Sequence, residues 1–164
     1  MADVSKSQLI QTAAGILNRD ACIVLIKTEW NAAIVDELER GCLRIFAQDK
    51  QVTTVTLTVP GAVEIPFIIQ RYYKEKTVAF RPDAFIALGC VVRGDTPHFE
   101  YVCETVTEGV LQLNLTLPVP VVFGVLTVNN EQQAIERIGG SHGHKGEEAA
   151  LTALKMIALN RSIN

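Results

Sequence analysis

The sequence predicts an α/β fold: a four-stranded parallel sheet covered by helices on both faces, three layers in all. Three observations lead there. Four short segments are strongly apolar, as strands buried on both faces of a parallel sheet must be. Segments with apolar residues at helical spacing separate them. The polar and aromatic turn residues gather after the carboxyl ends of the strands, the edge where open parallel sheets bind ligands.

Residues 22–27 (CIVLIK) form the first strand. Asn31 stands where an N-cap is expected, and Ile34, Val35, Leu38, Cys42, Ile45 and Phe46 then share one helical face. Residues 52–59 (VTTVTLTV) form the second strand, with Val55, Leu57 and Val59 alternating with threonines. Pro60-Gly61 turns the chain, and Pro66 suits the first turn of a helix running to about residue 76. Residues 84–92 are the third strand and 98–117 a long helix carrying Phe99, Val102, Cys103 and Val106. The fourth strand covers 119–128, and a short helix covers 131–138. The run GGSHGHKG then reads as a loop. The last helix covers 147–160, with Ala150, Leu151, Leu154, Ile157 and Ala158 facing inward. Residues 1–18 lie outside this alternation, as a helix (Leu9, Ile10, Ala13, Ala14, Leu17) or as an arm to a neighbouring subunit; 19–164 form the domain.

At 164 residues the chain has the size of one domain, and 48% apolar residues supply a sizeable core. A net charge of -3 provides no basic field for nucleic acid or an anionic membrane. No apolar run reaches the ~20 residues of a membrane span, and the N-terminus lacks a secretory pattern. Cys22, Cys42, Cys90 and Cys103 sit among apolar residues without a C-x-x-C spacing. They read as small buried hydrophobes in a reducing cytoplasm, not as a disulfide framework.

Beyond the strand ends stand Trp30 and Asn31; Ala62, Val63 and Glu64; and then Arg93, Gly94, Asp95, Thr96, Pro97 and His98. The last group leads into a helix N-terminus, whose free N–H groups suit a phosphate or carboxylate. It also reads as a turn capped by Asp95 or Thr96, the reading that pattern alone favours. No nucleotide-binding glycine motif occurs. A histidine at position 98 suits a proton shuttle or a simple capping role. Cys103 lies about 140° round the helix from it, which argues against a Cys/His nucleophilic pair. His142 and His144 lack a third ligand nearby, so metal binding has little support. Arg137 and Lys145 read as anion contacts or as solvated charges. Trp30 either stacks on a planar ligand or covers the core.

The stretches TVPGAVEIP, ALGCVVRGDTPHFEYV, PVVFGVLT, EQQAIERIGG and HKGEEAA, in this order over residues 22–160, resemble the 6,7-dimethyl-8-ribityllumazine synthase family of riboflavin biosynthesis. The resemblance implies a flavodoxin-like α/β/α sandwich. It implies condensation of 5-amino-6-(D-ribitylamino)uracil with 3,4-dihydroxy-2-butanone 4-phosphate, through an imine, loss of phosphate and ring closure with loss of water. It implies no cofactor and no metal. Holding two substrates together, plus proton transfer, is then most of the catalysis.

Carried over onto this sequence, Trp30 matches the aromatic residue stacked on the pyrimidine, where phenylalanine is more usual, and Asn31 follows it. Ala62, Val63 and Glu64 match the ribityl-binding segment. Cys90, Val91 and Val92 match the strand end whose backbone pairs with the uracil edge. Asp95 and Thr96 match the phosphate turn, and His98 the proton donor. Phe123 matches an aromatic residue supplied by an adjacent subunit, Arg137 the phosphate-binding arginine, and Lys145 the lysine near ribityl chain and phosphate. The resemblance thus implies a homo-oligomer built from pentamers, with the active site between subunits. A non-catalytic pyrimidine- or flavin-binding module on the same fold, or a small phosphosugar isomerase, would use the same turn residues.

Overall fold

The computed structural model describes residues 15–163. Its elements follow the order β1 (Ala21–Thr28), α1 (Ala32–Phe46), β2 (Val52–Val59), α2 (Ile65–Glu75), β3 (Ala84–Val92), α3 (His98–Thr116), β4 (Val121–Val128), α4 (Glu131–Ile135), β5 (Ile138–Gly140), β6 (Gly143–His144) and α5 (Lys145–Ile163). Single turns of 3-10 helix lie at Ala62–Glu64 and Val78–Phe80. The main sheet is parallel throughout in the order β2-β1-β3-β4, as the alternation of strands and helices predicts and as in flavodoxin-like folds.

Period-two alternation sorts the strand residues onto two cores. Ile23 and Leu25 of β1 and Ile86 and Leu88 of β3 pack with α1 and α5 on one face. Val24, Ile26, Phe85 and Ala87 pack with α2 and α3 on the other. Each large side chain fully buried this way, such as Phe85 or Leu154, contributes about 1.5–3 kcal/mol relative to exposure. The helical face predicted for α1 is buried at all six positions. In α5 four of the five are buried, and Ala158 is half-buried against the core.

Several expectations are corrected. β2 is an edge strand, so the alternation seen in its sequence buries only Val59 fully, and Val55 is exposed. Cys22 and Cys103 are half-buried, not core residues. β4 starts at Val121, two residues late, because Pro120 lacks an N–H to donate. The short helix stops at Ile135, and the run read as a loop contains an antiparallel hairpin pairing Ile138 with His144. Gly139 (φ 117°) and Gly143 (φ 76°) take the left-handed conformations that this reversal requires. α5 accordingly begins at Lys145, not residue 147. The proposed N-terminal helix lies outside the described residues. Leu17, read as part of that segment, is buried in the core beside α5.

Candidate active site

The chain leaves β1 toward β2 on one side and returns to β3 on the other, so the carboxyl ends of β1 and β3 flank the topological switch point. β1 pairs with β3 only as far as Leu88, whereas β3 continues beside β4 to Val92. Backbone groups of β3 beyond Leu88 on the β1 side therefore have no strand partner and open into the gap.

Three connections build walls around this gap. After β1, the buried Thr28 hydroxyl donates to the Trp30 carbonyl (3.2 Å), and the Asn31 side-chain amide donates to the Cys90 carbonyl (2.8 Å). Asn31 has φ 58°, a left-handed conformation that asparagine tolerates better than most residues. It occupies the N-cap position of α1, but in this left-handed conformation its side chain does not cap the helix and turns instead toward Cys90. After β2, Gly61 lets Trp30 and Glu64 come together: a Cβ there would sit 3.1 Å from a Glu64 carboxylate oxygen and 3.7 Å from the indole. The indole is 73% exposed, so Trp30 forms an open platform at the rim and does not cover the core. After β3, His98 opens α3.

These walls enclose a cavity of about 490 Å³. It is lined by Trp30 and Asn31, by Ala62, Val63 and Glu64, by Cys90, Val91 and Val92, and by His98. Nine residues singled out in the sequence thus meet at one place. Thr28 and Gly61, which the sequence also places at the strand ends, line the cavity too, and the structure adds Val102, one helical turn from His98 and legible only as a helix residue. Burial pushes the Cys90 thiol up to about 11, so it holds its proton at neutral pH and is no thiolate nucleophile.

Asp95 and Thr96 are exposed in the turn before His98 and do not line this cavity. Neither caps α3 with its side chain, which removes the capped-turn reading. The turn is held instead by Arg93, which the sequence placed in this turn without its partners. Its Nε donates to Asn129 Oδ1 (3.0 Å), another guanidinium nitrogen pairs with Glu100, and its Cζ lies 4.2 Å from the Phe99 ring centre. The Glu100 carboxyl is lowered below its ordinary range, chiefly by the Arg93 hydrogen bond.

Phe123, Arg137 and Lys145 stand elsewhere. They line a second cavity of about 540 Å³ along edge strand β4, together with Glu148 and Met156 of α5. Phe123 faces outward between buried neighbours and is 40% exposed. Arg137 donates to the Gln133 carbonyl (2.7 Å), while its buried Nε has no hydrogen-bond partner among the described residues. The Lys145 ammonium donates to both Glu148 carboxylate oxygens (2.9 and 2.8 Å), so it is paired and not simply solvated. The Lys145 N–H donates to the Arg137 carbonyl (2.8 Å), which ties the two cations to the base of one hairpin. The two cavities have no described residue in common. Among the described residues, no cluster of three or more His, Cys, Asp or Glu could hold a metal ion.

A family model described as 6,7-dimethyl-8-ribityllumazine synthase matches residues 20–161. Three relatives bearing that same name show how far the similarity reaches. The protein from Bdellovibrio bacteriovorus is 43% identical over 139 residues, covering 85% of this chain and 75% of its own. That from Porphyromonas gingivalis is 44% identical over 145 residues, covering 87% and 88%. That from Parabacteroides distasonis is 44% identical over 137 residues, covering 82% and 83%.

Proposed function

Since the chain belongs to the 6,7-dimethyl-8-ribityllumazine synthase family, we propose that it makes this lumazine at sites shared between neighbouring copies of itself. The reaction condenses 5-amino-6-(D-ribitylamino)uracil with 3,4-dihydroxy-2-butanone 4-phosphate and releases phosphate and water, a step of riboflavin biosynthesis.

One observation carries the shared-site reading. The residues suited to a planar, hydroxylated ligand line the switch-point cavity, and the cations Arg137 and Lys145 line the other. One chain therefore offers two different half-sites. When unlike surfaces of identical chains join and the rotation between neighbours closes, repetition of the contact makes a ring. A pentamer, alone or in larger assemblies, is the ring expected here.

In the assembled site the Trp30 indole stacks on the pyrimidine, with Phe123 of the neighbouring copy closing the opposite side. The backbone of Cys90–Val92 reads the edge of the ring. The Glu64 carboxylate and the Ala62–Val63 backbone take the ribityl hydroxyls. Asp95 and Thr96 lie in the turn where backbone N–H groups meet the phosphate, and Arg137 and Lys145 supply its counter-charge. His98 moves the proton during imine formation and phosphate loss. Fixing two substrates face to face converts a bimolecular encounter into a step within one complex. A cytoplasmic location suits the four cysteines, all of which are unpaired.

The test is direct. Incubated with both substrates, the protein should produce the fluorescent lumazine and one phosphate per turnover. Turnover of the butanone phosphate alone would favour an isomerase, and pyrimidine binding without product would favour a binding module.

A further inference from the structure

His144 is a buried imidazole that the reaction itself does not employ. Its ring sits at the meeting point of three elements: β6, on which it lies, the middle of α1, and the first turn of α5. Nε2 lies 3.3 Å from Glu37 Oε1, and Nδ1 accepts from the Glu147 backbone N–H at 3.4 Å. The second contact requires a lone pair on Nδ1, which leaves the proton on Nε2, facing the carboxylate. Glu37 is itself held by Arg40 (2.7 Å) and Arg44 (3.1 Å). The ring fits only because residue 41 is glycine: a Cβ there would stand 2.1 Å from the imidazole Cε1.

We infer that His144 is the positioning residue for Arg137 and Lys145, bolting onto α1 the β5–β6 hairpin whose two ends the cations flank. This rests on the reading of those cations as the phosphate half-site. Besides Ile138 packed on the core and the backbone bond from His142 to the Glu136 carbonyl, His144 supplies the hairpin's polar side-chain contact to α1. The hairpin strands contribute three and two residues, and three of those five residues are glycines. Glycine-rich segments lose more conformational freedom on ordering, so they need an anchor. His142, two residues earlier, is exposed and 3.7 Å from Glu136, too far and too solvated to serve. His144 is buried, capped onto α5 on one nitrogen and paired with α1 on the other. The next residue, Lys145, donates its N–H to the Arg137 carbonyl. The bolt therefore fixes the backbone from which both cationic side chains depart. It touches no substrate, so its loss acts through geometry, chiefly on the phosphate that both cations meet and only weakly on the pyrimidine, whose ribityl chain lies near only one of them, Lys145.

The experiment measures KM separately for the two substrates in the full-length oligomer. His144→Ala is expected to raise the KM for the butanone phosphate about tenfold, with the pyrimidine KM changed less than about twofold. His144→Gln, whose amide N–H can still reach Glu37, should recover most of that loss, whereas His144→Asn, which keeps only an acceptor for the Glu147 N–H, should not. Equal changes in both KM values, or none, would overturn the inference. Arg137→Ala is the control. If it leaves the phosphate KM unchanged, the half-site reading has failed; if it raises that KM and His144→Ala does not, only the bolt has failed. Should His144→Ala not fold, Glu37→Ala keeps the ring and its cap on α5 but removes the acceptor on α1, and must still raise the same KM about threefold. An unchanged value there overturns the proposal.

Discussion

The Asn31 side-chain amide donates to the Cys90 carbonyl at 2.8 Å, joining the end of β1 to the end of β3 just where their backbone pairing stops. The contact substitutes for a missing strand bond. It orients the β3 segment expected to read the pyrimidine, and it stabilises a left-handed backbone at Asn31.

Two substitutions separate these roles. Asn31→Ala loses the hydrogen bond and must place a Cβ in the left-handed region, at about 1–2 kcal/mol for the backbone alone. Asn31→Gly loses the bond but accepts the conformation. Both should raise the pyrimidine KM, and only Asn31→Ala should also lower the thermal midpoint markedly. Thermal melts with two-substrate kinetics check this, and equal melting of the two variants would contradict it.

His98 opens α3 on the cavity wall. His98→Ala is expected to lower turnover by about 10²-fold, since one acid–base group contributes about 10²–10⁴ and substrate positioning survives. The pyrimidine KM should change little. Wild-type turnover at every pH would remove His98 from the mechanism.

How much of this was legible beforehand follows from the physics of each element. Strands buried on two faces are continuous apolar runs, so β1, β3 and β4 could be read directly, and with them the edge where Trp30, Glu64 and His98 meet. The β5–β6 hairpin could not, because its few glycine-rich residues show no alternation and its anchor, His144, resembles any polar loop residue. The role of Arg93 in holding the turn was not legible because its partners, Asn129 and Glu100, lie 36 and seven residues along the chain. The separation of Phe123, Arg137 and Lys145 from the other nine cavity residues is a property of tertiary placement. Local pattern carries no trace of it; only the resemblance hinted at it.

Glu37 provides a pH-dependent test of the α1 network. Its hydrogen bond with Arg40, first among the causes, holds its carboxyl at about 2 against an ordinary value of 4.5. The folded state therefore binds this proton more weakly than the unfolded one. The resulting stability is fully present above about pH 4.5 and is lost as pH falls toward 2. Glu37→Gln should thus be less stable than the parent at pH 7, with the gap narrowing below about pH 4. Denaturant midpoints across that range check the sign, and a gap that widens in acid would refute it.

Arg137 and His98 together decide whether the site is shared. Arg137→Ala alone should raise the KM for butanone phosphate far more than that for the pyrimidine, a lost charge-assisted bond costing about 1.5–3 kcal/mol. His98→Ala alone should lower turnover. Now let the two impaired chains be dissociated, mixed in equal amounts and reassembled. If a site takes His98 from one copy and Arg137 from the next, some junctions join an intact His98 half to an intact Arg137 half. In a randomly mixed ring about a quarter of the junctions are of this kind, so activity should rise well above either parent. If both residues served a site within one chain, every site would keep one defect and mixing would restore nothing. Mass measurement of the reassembled oligomers shows whether mixing occurred, so a lack of recovery in proven mixed rings would place both residues in one chain.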